Sequence, residues 1–410
     1  MLPFQLLNPA IAALAVVGAL PAAADIPLAS SRTRRAICTP AAGGTPTTDD
    51  VPAISSALST CGGGGTIVLP ADVTYHANSV LDLSACAGCD IQIEGVVQFA
   101  SDTSYWSGRT AMILLQNAQG AQIRSATGSG VIDGAGQEAW DLFATNSSYA
   151  RPTLLYISGG ADIAVRGLQL KDAPNVFVSI NGGAERVAFS ELRLTAASNS
   201  TNAPKNTDGF DVGASTGVTL RDIDIVNDDD CVAFKPGADY ATVEAITCTG
   251  SHGISVGSLG KTNADAVTNV YAGNVTMINS TKAAGIKTYP GGASHGSAVV
   301  KNVTFEGFTV QNCDYAFQVQ SCYGEEEEYC RSNPADAQIG EVVVKDFSGT
   351  TSSKYDPTTA NINCGADGTC GITVSGWNVK TPSGRNQILC ANTPSALGIT
   401  CAAGASGVRR

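Results

Sequence analysis

The chain is poor in charge, aromatics and histidine. Charged residues make up 15% of its 410 positions, aromatics 6%, and there are three histidines, His76, His252 and His295. Apolar residues are plentiful at 43%, so a large core can be buried and disorder is excluded. Basic residues number 24 against 36 acidic ones, a net charge of −12. A nucleic-acid binder needs a basic footprint to neutralise phosphates, so DNA and RNA fall away as partners. Long hydrophobic runs are missing too. The apolar stretch Ile11 to Leu20 is too short to span a bilayer, so no membrane partner is expected. With Ala22, Ala23 and Ala24 after it, the stretch fits a secretory signal over residues 1–24. The pair Arg34-Arg35 then fits a processing site, which leaves 36–410 as a single domain and makes the expected location secreted, extracellular.

Two abundances follow from that reading. Asn146, Asn199, Asn274, Asn279 and Asn302 head glycan-acceptor sequons, in keeping with a glycoprotein. The 13 cysteines read as disulfides. Proximity suggests Cys38 with Cys61, Cys231 with Cys248, Cys364 with Cys370 and Cys390 with Cys401, although spacing alone leaves connectivity open. Thirteen is odd, so at least one thiol stays unpaired. Cys86 and Cys89 have the spacing of half a zinc site, but no second such pair accompanies them, and no metal is expected.

An apolar template at positions i, i+2, i+5 and i+7 recurs through the middle of the chain. It fits Ile163/Val165/Leu168/Leu170, Val187/Phe189/Leu192/Leu194, Val218/Leu220/Ile223/Ile225, Val270/Ala272/Val275/Met277 and Val303/Phe305/Phe308/Val310, and in part Val342/Val344/Phe347. A step of two is the strand period. The step of three flips parity, so each unit is two short strands joined by a bend that keeps both apolar pairs inward. A unit this short cannot bury its own face, so stacked copies must cover one another. No helical periodicity separates the strands, which excludes a βα alternation. A β-sandwich would need hairpin dipeptides, and Asp133-Gly134, Asn181-Gly182, Asp208-Gly209 and Asp367-Gly368 are too few. The expected fold is all-β, a single-stranded right-handed parallel β-helix.

Stacking gathers chemistry. Gly209 to Val212, Cys231 to Phe234 and Gly253 to Val256 lie 22 residues apart, and Asp208, Asp230 and His252 precede them. Equivalent positions on adjacent coils are about 4.8 Å apart. Asp208, Asp230 and His252 should therefore form one column, with Asp229 and Asp228 beside it, on the outside of the coil. Crowded carboxylates push one another's pKa upward, so one stays protonated while another is ionised, as cleavage of a glycosidic bond requires. A calcium site or merely solvated turn acids would also be acidic, but calcium leaves His252 without a purpose. Gly285-Ile286-Lys287 continues the ladder and is expected to place Lys287 in register with Ser255, Ala233 and Asp211. Its ammonium either balances the patch or meets a substrate carboxylate.

The motifs Asn206 to Gly209, Asp229 to Cys231, Gly250 to Val256 and Gly285 to Lys287 resemble, in order and spacing, the four motifs of glycoside hydrolase family 28. Val131 to Trp140 is similar to its N-terminal coil signature. The resemblance spans roughly residues 38 to 400 and implies a pectin-lyase-like right-handed solenoid that hydrolyses α-1,4-galacturonosyl bonds with inversion, as a monomer and without a cofactor. It implies Asp229 as general acid, Asp208 and Asp230 as activators of water, and His252 as support for the acid. Lys287, Asn206, Tyr323 and Gly285 would bind substrate. Galacturonan-cutting members carry arginine where this chain has Gly285, so the bidentate carboxylate clamp is missing. A galacturonate bearing a side sugar needs that room. The segment Gly285 to Pro290 resembles that of the family's xylogalacturonan-cutting members, so the expected partner is a pectic polysaccharide, xylogalacturonan or homogalacturonan. An exo-acting polygalacturonase is the nearest alternative, and a calcium-dependent pectate lyase or a non-catalytic polysaccharide-binding solenoid are remoter ones.

Overall fold

In the computed structural model the described residues are 35–407; the expected signal segment and the basic pair's first arginine, Arg34, lie outside them. The described chain winds as a right-handed parallel β-helix with two parallel sheets, one of 18 strands and one of 11. In the 11-stranded sheet the strands lie in chain order, from Leu81–Asp82 through Phe210–Val212, Val232–Phe234, Ile254–Leu259, Lys282–Thr288 and Tyr315–Gln320 to Gln387–Ala391. Consecutive strands in space are thus consecutive coils in sequence, and a side chain's coil number gives its place along the axis.

The bend in each template has a local cause. The residue at i+4 takes a left-handed φ in every coil that shows the pattern: Gly167, Glu191, Asp222, Asn274, Gly307 and Asp346. One such residue turns the strand and inverts its alternation, so the pairs on both sides of it face inward. All the template residues are buried. A further coil, Ala241/Val243/Ile246/Cys248 with Ala245 at the left-handed position, lies between the third and fourth copies. Its alanine and cysteine hide the pattern in the sequence.

Aromatic layers stack along the axis. Phe308 lies flat on Phe347 at 4.6 Å between ring centroids, and Phe347 on Trp377 at 5.5 Å. Helix Val51–Cys61 closes the first coil, burying Val51, Ile54, Ala57, Leu58 and Cys61, and shields apolar groups that no earlier coil covers. Six disulfides occur among the described residues. They include the four pairs suggested by spacing, and add Cys86–Cys89 and Cys322–Cys330. The spacing that resembled half a zinc site is therefore a disulfide. Cys313 is the free thiol, and burial pushes it up to about 11.

Candidate active site

The site forms where the chain turns into the 11-stranded sheet. Phe210 pairs with Val232 and Val232 with Ile254, so Asp208, Asp230 and His252, each two residues earlier, occupy equivalent positions. Asn227 fixes the turn: its buried amide donates to the carbonyls of Thr207 (2.8 Å), Asp229 (3.0 Å) and Asp230 (2.9 Å). The Ser251 hydroxyl donates to the Asp229 carbonyl at 2.9 Å. With its backbone pinned from both sides, the Asp229–Asp230 pair sends its two carboxylates to different partners.

Asp230 is buried, not on the outer surface as the column suggested. Its carboxylate accepts from Ser255 Oγ at 2.7 Å and from Lys287 Nζ, with Lys282 Nζ 3.8 Å away. Burial alone pushes this carboxyl up, but Lys287, Lys282 and Lys235 outweigh it and hold Asp230 well below the ordinary carboxylate range. Asp229 is partly open to the cleft. Its oxygens accept from His252 Nδ1 and from Asn206 Nδ2, each at 3.1 Å. Burial raises it, and the His252 hydrogen bond, with the charges of His252 and Lys287, brings it below its ordinary value. His252 thus faces Asp229, not the Asp230 of its own column. Asp208 is the carboxyl that goes the other way: burial, then the charges of Asp211 and Asp229, push it well above the ordinary range. Asp208 and Asp229 are thus shifted in opposite directions.

The register of Lys287 needs correction. Gly285, not Lys287, is in line with Ser255, Ala233 and Asp211, while Lys287 lies opposite Gly257 and Gln320. The longer coil before this strand, 30 residues from Ser255 to Gly285 against 22 from Ala233 to Ser255, displaces the lysine by two residues. Two residues is one side-chain period, so Lys287 still faces the same way and still reaches Asp230. The Tyr323 ring lies 5.4 Å from Lys287 Nζ. At Gly285 an added Cβ would fall 2.3 Å from the Gln318 carbonyl oxygen and 3.0 Å from Lys282 Cδ.

Asn206, Asp229, His252, Lys282, Lys287 and Tyr323 share one cleft of about 180 Å³, together with Gln318, Gln320, Tyr315 and Tyr355. Gln318 and Gln320 are buried there with no hydrogen-bond partner for either Nε2. Such orphaned donors are costly and belong where a ligand will use them. Asp208 is not on this wall; it sits with Asp211 and Lys235, which lies 3.6 Å from Asp208 and 3.3 Å from Asp211. Asp228 does not line this cleft, and its backbone forms an isolated β-bridge with that of Lys205.

Arg151 also escaped the sequence reading. Its guanidinium donates to the carbonyls of Pro174 (3.0 Å) and Lys205 (2.7 Å) and to Asn206 Oδ1 (2.8 Å), which orients the Asn206 amide toward Asp229. Burial lowers it to about 10. Carboxylate and imidazole atoms of Asp229, Asp230 and His252 lie within 4.8 Å of one another, close enough for a cation. The Lys287 and Lys282 ammoniums on Asp230 oppose one electrostatically.

This geometry can be set beside known proteins. The model for glycosyl hydrolases family 28 matches residues 62–401. Endo-xylogalacturonan hydrolase A of Aspergillus tubingensis is 64% identical over 378 residues, 92% of this chain and 93% of that protein. A probable endo-xylogalacturonan hydrolase A of Aspergillus niger is equally similar, 64% over 378 residues with the same coverage. The crystal structure of the A. tubingensis enzyme superposes with a TM-score of 0.90, covering 91% of this chain and all of that one. A polygalacturonase from Erwinia carotovora, 18% identical, shares the fold at a TM-score of 0.71, covering 88% and 96% of the two chains.

Proposed function

The chain belongs to family 28 of the glycosyl hydrolases, and from that premise we propose that it is a secreted endo-xylogalacturonan hydrolase, cutting α-1,4-galacturonosyl bonds in the xylose-substituted backbone. It is a glycosidase of the polygalacturonase family. The observation that carries the substrate is the glycine at 285, next to the cleft-lining Lys282 and Gln318, where an added Cβ would meet the Gln318 carbonyl oxygen and the Lys282 stem, so that no arginine clamp stands there.

Asp229, the cleft-facing member of the pair, donates the proton to the leaving oxygen. In the free protein it is held ionised by His252 and Asn206, so protonation must come with substrate. His252 Nδ1 lies 3.1 Å from Asp229 Oδ1, so a proton on that nitrogen lies between the two groups. A sugar ring covering both removes water, strengthens the desolvation that already pushes Asp229 up, and favours the carboxyl as the proton's resting place. Asp230, kept ionised by its lysines, and Asp208 then activate water. Asp229 and Asp230 are close for an inverting pair, since an intervening water usually asks for carboxyls roughly 6.5–9.5 Å apart. The water therefore enters beside them, on the Asp208 side. Lys287 and Tyr323, with the free amides of Gln318 and Gln320, hold the galacturonate.

Side-by-side digestion of xylogalacturonan and polygalacturonate tests the reading. Short xylosylated oligomers with little release from the bare chain are expected; monogalacturonate from the bare chain would favour the exo-acting alternative. Asp229→Asn should lower kcat at least about 10³-fold while binding persists, and proton NMR of the first product should show the inverted anomer.

A further inference from the structure

The Asn206 side chain ends in an amide whose two ends act oppositely on a carboxyl. Its nitrogen donates and favours the ionised form; its oxygen can only accept and favours the protonated one. Here Nδ2 faces Asp229 Oδ2 at 3.1 Å, and Oδ1 faces Arg151 Nη2 at 2.8 Å. A guanidinium carries donors and no acceptor, so Arg151 admits only the oxygen end. The nitrogen is thereby obliged to point at Asp229. Further contacts hold the arginine itself still. Nη1 donates to the carbonyl of Lys205, the residue before Asn206, at 2.7 Å, and to that of Pro174, on the intervening coil, at 3.0 Å. The guanidinium carbon lies 3.7 Å from the centre of the Phe143 ring. Asn206 has a left-handed φ of 60°, which asparagine tolerates better than most residues and which persists where the surroundings enforce it.

We propose that Arg151 is a positioning residue for the general acid: by capping Oδ1 of Asn206 it keeps the amide nitrogen on Asp229 Oδ2, so that in the resting cleft this oxygen stays free of the proton. Other groups face Asp229 as well. His252 Nδ1 and the Asp230 backbone N–H meet Oδ1, the charges of Asp230, Asp208 and Lys287 act on the carboxyl, and Lys282 shares the cleft wall. None of these decides which end of the Asn206 amide the acid meets. Arg151 does, from a coil that contributes nothing else to the cleft. This rests on the reading of Asp229 as the acid given above.

The dependence of kcat/KM on pH, measured on xylogalacturonan, reads the acid in the free enzyme. Arg151→Met keeps the stem but frees the amide to turn its oxygen toward Asp229, and should move the alkaline limb up by about one pH unit. Loss of the guanidinium charge pushes the same way, because Arg151 and Asp229 attract one another. A second background separates the two causes. Asn206→Gly removes the amide and suits the left-handed φ. In that background Arg151→Met should leave the limb within about 0.3 unit of where Asn206→Gly alone puts it. A limb that stays in place in the single variant, whatever happens to the rate, marks a merely structural role and overturns the proposal. A shift of equal size in the Asn206→Gly background marks plain charge and overturns it too. If Arg151→Met does not fold, Arg151→Gln with the same readouts decides. An Asp229→Asn variant that still hydrolyses overturns the acid reading; an inactive Asp229→Asn beside an unmoved Arg151→Met limb overturns only this inference.

Discussion

At residue 285 the absent side chain invites a simple repair, the arginine used by galacturonan-cutting relatives of the motif. The structure changes the expected result. A Cβ at 285 meets the Gln318 backbone oxygen and the Lys282 stem, so Gly285→Arg must move the strand and should lose about 1–3 kcal/mol in denaturant unfolding. A shift toward the bare chain is expected only when Lys282 is shortened as well; a stable single variant with the shifted preference would overturn this account. Asp208 gives a prediction of opposite sign. Its folded-state pKa is raised, so the unfolded chain releases this proton more readily, and the group costs stability once pH exceeds the unfolded carboxyl value. Asp208→Asn should therefore be more stable than the parent at pH 7, by about 1 kcal/mol, with the gain vanishing below about pH 4, while hydrolysis is lost. Asp230 behaves conversely: its depressed pKa contributes stability above about pH 4 that is lost as pH falls further. His252 lowers Asp229, so His252→Ala should cut activity about 10²-fold and move the alkaline limb of the residual profile to higher pH.

At the scale of the coil, the stacked rings of Phe308, Phe347 and Trp377 hold successive turns in register, and Phe347→Ala should cost about 3–5 kcal/mol by calorimetry. This is also the scale at which the sequence was most readable. The template, the inward pairs and the 22-residue step that aligns Asp208, Asp230 and His252 all follow from equal coil lengths, and a solenoid converts equal lengths into contact. Where lengths change, reading by spacing slips, as it did by two residues for Lys287 after a longer turn. The coil at Ala241 was invisible because small residues dilute the pattern. Asp211, Lys235, Lys282 and Arg151 were missed for a different reason. They face outward or lie in turns, where no apolar period marks them, and their partners are set by side-chain reach across coils. The helix Val51–Cys61, a single closing element, has no repeat to betray it.

For the whole molecule, charge sets the encounter. A protein of net charge −12 and a polyanionic substrate repel each other, so kcat/KM should rise as salt increases from about 10 to 100 mM, where the screening length falls from about 30 to 10 Å. A steady decline over that range would show that the cationic cleft, not the net charge, governs association. The bridge between Cys231 and Cys248 bears on how the enzyme can be obtained. Cys231 directly follows Asp230, so the bond anchors one edge of the Asp229–Asp230 pair to the opposite sheet. A recombinant host whose folding compartment is reducing should yield chains with a loosened proton-transfer centre even where the solenoid itself has formed. Yield of soluble protein is then a poor guide to yield of working catalyst, and the oxidising power of the host becomes a practical determinant of specific activity.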